Sequence, residues 1–379
     1  MQLYNSITKR KEKFIPIHDK NVSIYVCGIT PYDTTHIGHA FTYISFDVLV
    51  RYLTYKAYNV SYTQNVTDIN DRDNDILKFA QEKNIPWTEL SVYWTKRFLD
   101  DMKKLGWVFP TNYLLASEQI PSMIALIQKL INNSYAYQVN ESVYLDITHF
   151  PQFGMLSGLS EEEMLSVAGE FEEDITNLQK RHPLDITLWR SSALNQAVHI
   201  PSFASPFGKG RPGWHIECSA MAVSTLGEQI DIHGGGKDLM YPHHESEIIQ
   251  SEGATGKIPF AKYWMHTGTV FYQGKKMSKS LANLVMVSEL LKKYSANAIR
   301  FALLSHHYKE SWEFTHSEVK EAEKTVSKLL AKTKGLGIHK EILLAFDDDL
   351  NTPQALKRLM GEKTISQDSL SLLGFSHNF

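Results

Sequence analysis

The chain has 379 residues, of which 43% are hydrophobic and 21% are charged, as in ordinary globular proteins of two or three domains. Its 39 basic and 42 acidic side chains give a net charge of −3, which argues against a large generic surface for nucleic acid but leaves room for a local basic groove. The N-terminus lacks the basic and apolar segments of a signal peptide, and no run of about 18 apolar residues could span a membrane, so we expect a cytoplasmic protein.

The first predicted elements form a strand–helix–strand unit. Residues 22–28 (VSIYVCG) are typical of a strand that ends at a glycine, and residues 40–55 carry apolar side chains at helical spacing. Residues 59–67 alternate as a second strand does. Two strands joined by a helix over so short a stretch predict a βαβ unit, and therefore a parallel sheet.

A short motif, residues 35–39 (THIGH), lies at the predicted turn between the first strand and its helix. Gly38 lacks the side chain that would keep a ligand away from the backbone, and the start of a helix offers N–H groups to an anion. His36 and His39 place two imidazoles beside that backbone. The pattern indicates a nucleotide site.

A second motif, residues 276–280 (KMSKS), stands late in the chain. On a mobile loop, Lys276 and Lys279 would close over phosphates and stabilise the charge that grows as pyrophosphate leaves. A solvated charge run is the alternative for two lysines, but Met277 and the two serines favour the loop. Together the two motifs predict a site that holds ATP from two sides and adenylates a substrate.

The stretch between the two motifs has the pattern of an interrupted sheet. Further elements are predicted at 86–105 and 117–133 (helices), at 229–233 (a strand closed by the glycines 234–236) and from Pro242 onward (a helix). The loop-rich segment 134–212, with one apparent hairpin strand, resembles an insertion between two halves of the sheet. From about residue 284 the chain is predicted to be helical.

Four residues are candidates for one metal site. The only two cysteines, Cys27 and Cys218, would on count alone be inert core residues. His243 and Glu247, however, stand four residues apart on one face of a predicted helix, and two thiolates, an imidazole and a carboxylate suit Zn²⁺. There is no CxxC pair, so four unrelated core residues remain the alternative. A zinc ion beside an adenylation site could bind a substrate thiol as thiolate, which indicates cysteine as the substrate.

These motifs resemble those of the class I aminoacyl-tRNA synthetase-type ligases that activate cysteine. The motifs match in order over essentially the full chain, at residues 27–33 (CGITPYD), 36–39, 65–68 (NVTD), 213–222, 234–244 and 276–280. Two families share this plan: the cysteine–tRNA ligases, and the mycothiol-pathway ligase that couples cysteine to glucosaminyl-inositol.

The resemblance implies an α/β fold: a Rossmann-like parallel-sheet catalytic domain of the class I synthetases, an inserted α+β domain and a C-terminal helical bundle, in a monomer. The expected boundaries are 1–115 and 213–290 for the two halves of the catalytic domain, 116–212 for the insertion, and 291–379 for the helical region, with no separate anticodon-binding domain.

The resemblance also assigns roles to residues. One zinc ion per chain would be held by Cys27, Cys218, His243 and Glu247. His36 and His39 would support the phosphates, Lys276 and Lys279 the transition state, and Mg²⁺ would accompany ATP. The pocket for ATP and cysteinyl-adenylate would be lined by Cys27, Gly28, Ile29, Thr30, Gly38, Thr42, Asn65, Val66, Thr67, Trp214, Gly236, Lys237, Asp238, Val270 and Lys279.

Some of these residues have plainer alternatives. Trp214 alone would be read as a core aromatic, although its place near Cys218 favours a wall of the thiol pocket. The remaining histidines of the motifs, His215, His233 and His244, are left open between partners of the site and ordinary core residues.

The acceptor of the activated cysteine separates the two families. Residues 28–32, 208–212, 283–288 and 305–313 resemble the mycothiol-pathway ligase, whereas residues 154–160 and 243–250 resemble the tRNA ligases. Glu247 departs from the mycothiol-type pattern. Because little chain follows the second motif and the charge is not basic, we expect transfer of cysteine to an amine acceptor, an amino sugar. The alternatives are a cysteine–tRNA ligase that charges tRNA and a non-catalytic sensor of cysteine or zinc.

Overall fold

The computed structural model describes residues 1–32, 34–72, 76–171, 173–192, 200–277 and 281–377. Its helices are α1 (Ile37–Tyr55), α2 (Ile76–Lys83), α3 (Trp87–Lys104), α4 (Ile120–Asn132), α5 (Glu161–Glu170), α6 (Trp214–Leu226), α7 (Glu245–Thr255), α8 (Val287–Leu290), α9 (Ala296–Leu304), α10 (His316–Ala331), α11 (Lys340–Asp347), α12 (Thr352–Gly361) and α13 (Gln367–Leu372). Its strands are β1 (Gln2–Asn5), β2 (Arg10–Lys13), β3 (Asn21–Ile29), β4 (Asn59–Val66), β5 (Asn112–Leu115), β6 (Ala136–Val139), β7 (Ser142–Leu145), β8 (Ile186–Ser191), β9 (Gly210–Pro212), β10 (Ile230–Gly236), β11 (Ala261–Thr267), β12 (Val270–Tyr272), β13 (Lys275–Lys276) and β14 (Trp312–Glu313).

The central sheet has the strand order β11–β10–β3–β4–β5, and every neighbouring pair is parallel. The predicted parallel sheet is therefore confirmed. Strand β3, from the first part of the chain, lies beside β10, from a much later part. The carboxyl ends of these two strands consequently meet at one edge, the usual place for a ligand in an open α/β sheet.

Two glycine positions allow the strand ends to approach each other closely. A Cβ on Gly28 would lie 1.5 Å from the backbone oxygen of Asn65, so only glycine fits where β3 meets β4. A Cβ on Gly234 would lie 2.2 Å from the ring of Phe46 on α1. The glycines 234–236, expected to close the preceding strand, instead continue β10 to its end at Gly236.

Helix α1 is mostly apolar and lies buried against the sheet and the C-terminal helices. Its side chains, such as Phe41 and Phe46, are almost fully buried in the larger core cluster. The helix begins at His36, whose side chain accepts from the backbone N–H groups of Gly38 and His39. The imidazole thus takes the N-cap role usually filled by a short polar side chain.

An antiparallel sheet of order β6–β7–β8–β9 lies in the segment between β5 and α6. Helix α4 of the same segment packs against α6 and α7, and its apolar side chains share one core cluster with those of β3. We propose that this segment corresponds to the inserted domain expected at 116–212. Its attachment through a shared core would fix its position on the catalytic sheet.

The C-terminal region is mainly helical apart from the short strand β14, and its helices α11 and α12 are separated by a turn. Helix α11 ends at Asp347 and α12 begins at Thr352, with left-handed backbone at Asp349 (φ 61°) and Leu350 (φ 51°) between them. The Asp349 carboxylate accepts hydrogen bonds from the backbone of Tyr4 and from the Tyr308 hydroxyl, each at 2.7 Å. This buried acid holds the turn between the two helices.

None of the helices in the described ranges combines the length and the apolar character that a membrane crossing needs.

A buried ion pair anchors α1 to the C-terminal region. Arg300 on α9 and Asp47 on α1 are both fully buried and paired through Nη2 and Oδ2. Arg300 also donates to the backbone oxygens of Leu105 (3.1 Å) and Leu373 (2.5 Å), and Asp47 accepts from the backbone N–H of Val108 (2.7 Å). Four segments of the chain therefore meet at one pair of charges: α1, α9, residues 105–108 and Leu373.

Asp47→Ala leaves the buried guanidinium of Arg300 without its carboxylate, so we expect a loss of about 3–5 kcal/mol in the free energy of unfolding. Equilibrium unfolding in urea, followed by circular dichroism, measures the loss. The control is Asp100→Ala, which removes the 3.2 Å partner of Lys96 from an exposed pair and should hardly move the midpoint. Equal effects of the two substitutions would contradict the anchoring role of Asp47.

Candidate active site

A cavity of about 410 Å³ opens at the carboxyl edge of the parallel sheet. It brings together most of the residues expected at the site, namely Cys27, Gly28, Ile29, Thr30, His36, Gly38, His39, Thr42, Thr67, Trp214, Cys218, Gly236, Lys237, Asp238, His243, Val270 and Lys276. The sequence motifs did not include further lining residues, among them Tyr43, Gly268 and Thr269. The last two follow β11, so the end of that strand was the signal that could have indicated them.

Two of the residues expected to line the pocket are not part of its wall, and a third is outside the described residues. Asn65 and Val66 are not part of the cavity wall, and Lys279 lies outside the described residues. The Asn65 amide lies behind the wall: its Oδ1 accepts from the Gly28 N–H at 2.8 Å and its Nδ2 donates to Thr67 Oγ1 at 3.1 Å. Asn65 therefore orients two residues of the wall.

Backbone hydrogen bonds join the first ATP motif to the segment that follows the second. The Ile37 N–H donates to the Val285 oxygen at 2.8 Å, and the Val287 N–H donates to the Thr35 oxygen at 2.9 Å. The segment that follows the second motif is thereby paired with the first motif, although the two are far apart in sequence. The base of the second motif's loop is thus fixed beside the start of α1.

The imidazoles of the first motif stack on each other, with ring centroids 3.7 Å apart. Burial lowers the pKa of His39 to about 4, and burial together with the neighbouring His39 and Lys276 lowers the pKa of His36. Both rings are therefore neutral at pH 7 and can serve as hydrogen-bond donors to a phosphate without carrying charge.

Lys276 lies across the cavity and pairs with Asp238, with 2.8 Å between Nζ and Oδ2. Both side chains are about half exposed, at 54% and 44%. Such an exposed pair contributes little to stability and separates easily. The lysine is consequently free to exchange this carboxylate for a phosphate.

The four candidate metal ligands lie close together, and three of them, Cys27, Cys218 and His243, line the cavity. One ligand atom from each of Cys27, Cys218, His243 and Glu247 lies within 4.8 Å of the others, and all four residues are buried. The Glu247 Oε1 lies 3.3 Å from the Cys27 Sγ and 3.3 Å from the His243 Nε2. Ligands of a tetrahedral zinc ion stand about 3.3–3.8 Å apart, so these spacings fit the ion.

The pKa values of Cys27 and Glu247 depend on whether a cation is bound. Burial raises the pKa values of Cys27 and Glu247 well above their ordinary range, because ionised thiols and carboxylates lose hydration there. A divalent cation reverses that preference and favours thiolate and carboxylate. The thiol and the carboxyl group are thus neutral without a cation and able to become ionised ligands when one binds.

A second set of residues shares two members with the first. Cys27, His233, His244 and Glu247 also bring one ligand atom each within 4.8 Å of the others. His233 Nε2 lies 2.8 Å from Glu247 Oε2, and the ring of His244 bonds to His266 at 2.7 Å. His233 and His244 do not line the cavity, unlike Cys218 and His243. The set with Cys218 and His243 is thus the one that faces a ligand.

Comparisons with known proteins show the family to which the chain belongs. The family model of the class I tRNA synthetase (C) catalytic domain matches residues 13–324. The cysteine–tRNA ligase of Thermodesulfovibrio yellowstonii is 44% identical over 385 residues, which cover 94% of this chain and 76% of the relative. The cysteine–tRNA ligase of Thermococcus onnurineus is 40% identical, with 94% of this chain and 78% of the relative covered.

Solved structures share the fold at low sequence identity. Methionyl-tRNA synthetase of Mycobacterium tuberculosis in complex with methionyl-adenylate superposes with a TM-score of 0.65 at 12% identity, over 90% of this chain and 82% of that chain. The leucyl-tRNA synthetase of Agrobacterium radiobacter K84 superposes with a TM-score of 0.59 at 11% identity, over 96% of this chain and 86% of that chain. The predicted α/β fold of the class I synthetases is therefore confirmed.

The comparisons do not support the expected amino-sugar acceptor, because the relatives named above are tRNA ligases. They do support the enzyme class that the two ATP motifs predicted. The chain belongs to the class I tRNA synthetase family, on the branch of the cysteine–tRNA ligases, and it is an ATP-dependent, AMP-forming ligase.

Proposed function

We propose that the chain is a cysteine–tRNA ligase, which forms cysteinyl-adenylate from cysteine and ATP and then transfers cysteine to tRNA. The observation that carries the proposal is the position of the thiol-selective donor set. Cys27, Cys218 and His243 line the same cavity as His36 and Lys276, so one cavity joins a place for a thiol to a place for ATP.

Zinc would be held by Cys27, Cys218, His243 and Glu247. When bound, the ion would stabilise the side chain of substrate cysteine as a thiolate, which serine cannot match. Trp214, stacked on His243 at 4.3 Å between ring centroids, would form the wall beside the substrate side chain.

Adenylate formation requires positioning and electrostatic stabilisation. A carboxylate oxygen of cysteine attacks the α-phosphorus of ATP, the new O–P bond forms, and the bond to the β-phosphate oxygen breaks to release pyrophosphate. The neutral imidazoles of His36 and His39 would donate hydrogen bonds to the phosphates. Lys276 would leave Asp238 for the departing pyrophosphate, and Mg²⁺ would accompany ATP.

Two observations support tRNA over an amino sugar as the acceptor. The relatives that cover most of this chain are named cysteine–tRNA ligases. In addition, Glu247, which departs from the mycothiol-type pattern, places its carboxylate among the other proposed zinc ligands. A net charge of −3 does not oppose this acceptor, because the contact with RNA needs only a local surface.

The acceptor is tested by incubating the protein with cysteine and ATP in the presence of either total tRNA or an amino-sugar pool that contains glucosaminyl-inositol. We expect cysteine on the 3′ end of tRNA and none on the amino sugars, as read by mass spectrometry. Cysteinylated amino sugar together with uncharged tRNA would reverse the proposal.

Lys276→Ala should slow cysteine-dependent ATP–pyrophosphate exchange about 10²–10³-fold, because one charge that stabilises the leaving pyrophosphate is removed. The KM for cysteine should stay near its original value. The control is Lys275→Ala, since Lys275 is an exposed lysine of the same strand that does not line the cavity. If both variants exchange at the original rate, Lys276 has no part in the reaction.

Cys218→Ala should abolish both bound zinc, measured by plasma mass spectrometry, and exchange with cysteine, because the donor set loses a thiolate. The control is Ser224→Ala, on the same helix but outside the cavity. Full zinc content and full exchange in Cys218→Ala would remove this residue from the metal site.

A further inference from the structure

Trp214, the first residue of α6, contacts both His243 and Arg72 through its ring. Its ring stacks on His243 with 4.3 Å between centroids and an angle of 30°. The guanidinium carbon of Arg72 lies 3.6 Å from the centroid of the Trp214 ring. An arginine so close to an indole makes a strong cation–π contact. Neither Arg72 nor this contact was indicated by the sequence motifs.

Arg72 is in turn held by an acidic residue from a different part of the chain. The Oε1 of Glu173, which follows α5, lies 3.5 Å from Arg72 Nη2 and 3.0 Å from His215 Nε2. The other ring nitrogen of His215 lies 2.8 Å from His243 Nδ1. Glu173 is therefore linked to His243 in two ways. One chain of contacts runs through Arg72 and Trp214, and the other runs through His215.

Glu173 is ionised at pH 7 although it is largely buried. Burial alone would raise its pKa, but His215 and Arg72 lower the pKa of Glu173 to about 2. Its side chain is 18% exposed and that of Arg72 is 20% exposed, so both charges are partly shielded from water. A partly desolvated pair keeps more of its attraction than an exposed one.

The backbone next to Arg72 is fixed as well. The Asp71 side chain accepts the N–H of Trp214 at 2.9 Å, and its backbone oxygen accepts from Arg190 at 2.5 Å and Arg211 at 2.9 Å. Strands β8 and β9, which carry these arginines, thus hold the loop that carries Arg72. The antiparallel sheet is thereby connected to the wall of the cavity.

We propose that Arg72 and Glu173 are positioning residues for the amino-acid pocket: they fix the Trp214 indole and the His243 imidazole relative to each other, and so set the shape that recognises the substrate side chain. The proposal rests on the proposed function, since it assumes that cysteine is the amino acid activated. A residue that served stability alone would change the amount of active protein, whereas a positioning residue changes the affinity for one substrate.

Arg72→Leu is the first variant, because leucine keeps part of the volume but removes the cation over the indole. In ATP–pyrophosphate exchange we expect the KM for cysteine to rise about tenfold, while the KM for ATP stays within about twofold. Arg72→Lys should recover part of the loss, because it restores the charge without the planar guanidinium. The matched control is Arg181→Leu, whose guanidinium carbon lies 4.0 Å from the ring of Tyr137 in an exposed position.

Glu173→Gln is the second variant, with a readout that does not depend on activity. The purified zinc-loaded protein should lose zinc to a chelator faster than the original protein, because His215 no longer holds His243 through a charged partner. The KM for cysteine should rise, and combining Arg72→Leu with Glu173→Gln should add little, since both act on the same ring.

The outcomes separate the two proposals. If the original protein shows no cysteine-dependent exchange, the proposed function and the positioning role both fail. If it does exchange, and Arg72→Leu keeps the original KM for cysteine while Glu173→Gln keeps the original rate of zinc loss, the positioning role alone is wrong. The positioning role would also be wrong if Arg72→Leu raised the KM for cysteine and the KM for ATP equally, and no more than Arg181→Leu does.

Discussion

The carboxylate of Glu247 is fully buried, and the arrangement of the site depends on how that charge is satisfied. Its two oxygens lie 2.8 Å from His233, 3.3 Å from His243 and 3.3 Å from the thiol of Cys27. A buried acid is tolerated only with hydrogen-bond donors or a cation beside it. Because Cys27 lies on β3, His233 on β10 and Glu247 on α7, the contacts of this one group join the two halves of the sheet and a helix.

The proposed nucleotide side of the cavity lies at the same edge of the sheet. Gly28 permits the end of β3 to approach Asn65, and the start of α1 is paired with the segment after the second motif. Helix α1 is held from behind by the Asp47–Arg300 pair. The first ATP motif is therefore held from two sides, and the exposed Lys276–Asp238 pair is the part that can separate during a reaction.

The acceptor shows where reasoning from the sequence was weakest. The whole-chain charge and the short segment after residues 276–280 favoured a small amine, whereas the relatives are tRNA ligases. Net charge averages over all surfaces, so it cannot report the local groove on which contact with RNA depends. Glu247, read in the sequence as a departure from one family, proved the more informative feature, because it is a single residue inside the chemical site.

The sequence by itself determined the parallel sheet, the ATP motifs and the four candidate metal ligands. These follow from local periodicity and from residue types whose chemistry is narrow, such as two cysteines with a histidine and a carboxylate one helical turn apart. Only the tertiary structure decided which side chains surround that group. Arg72, Glu173 and His266 come from three distant segments and carry no motif, since ion pairs, stacked rings and hydrogen bonds between distant residues leave no periodic pattern in the chain. Their contacts became visible only once the fold brought those segments together.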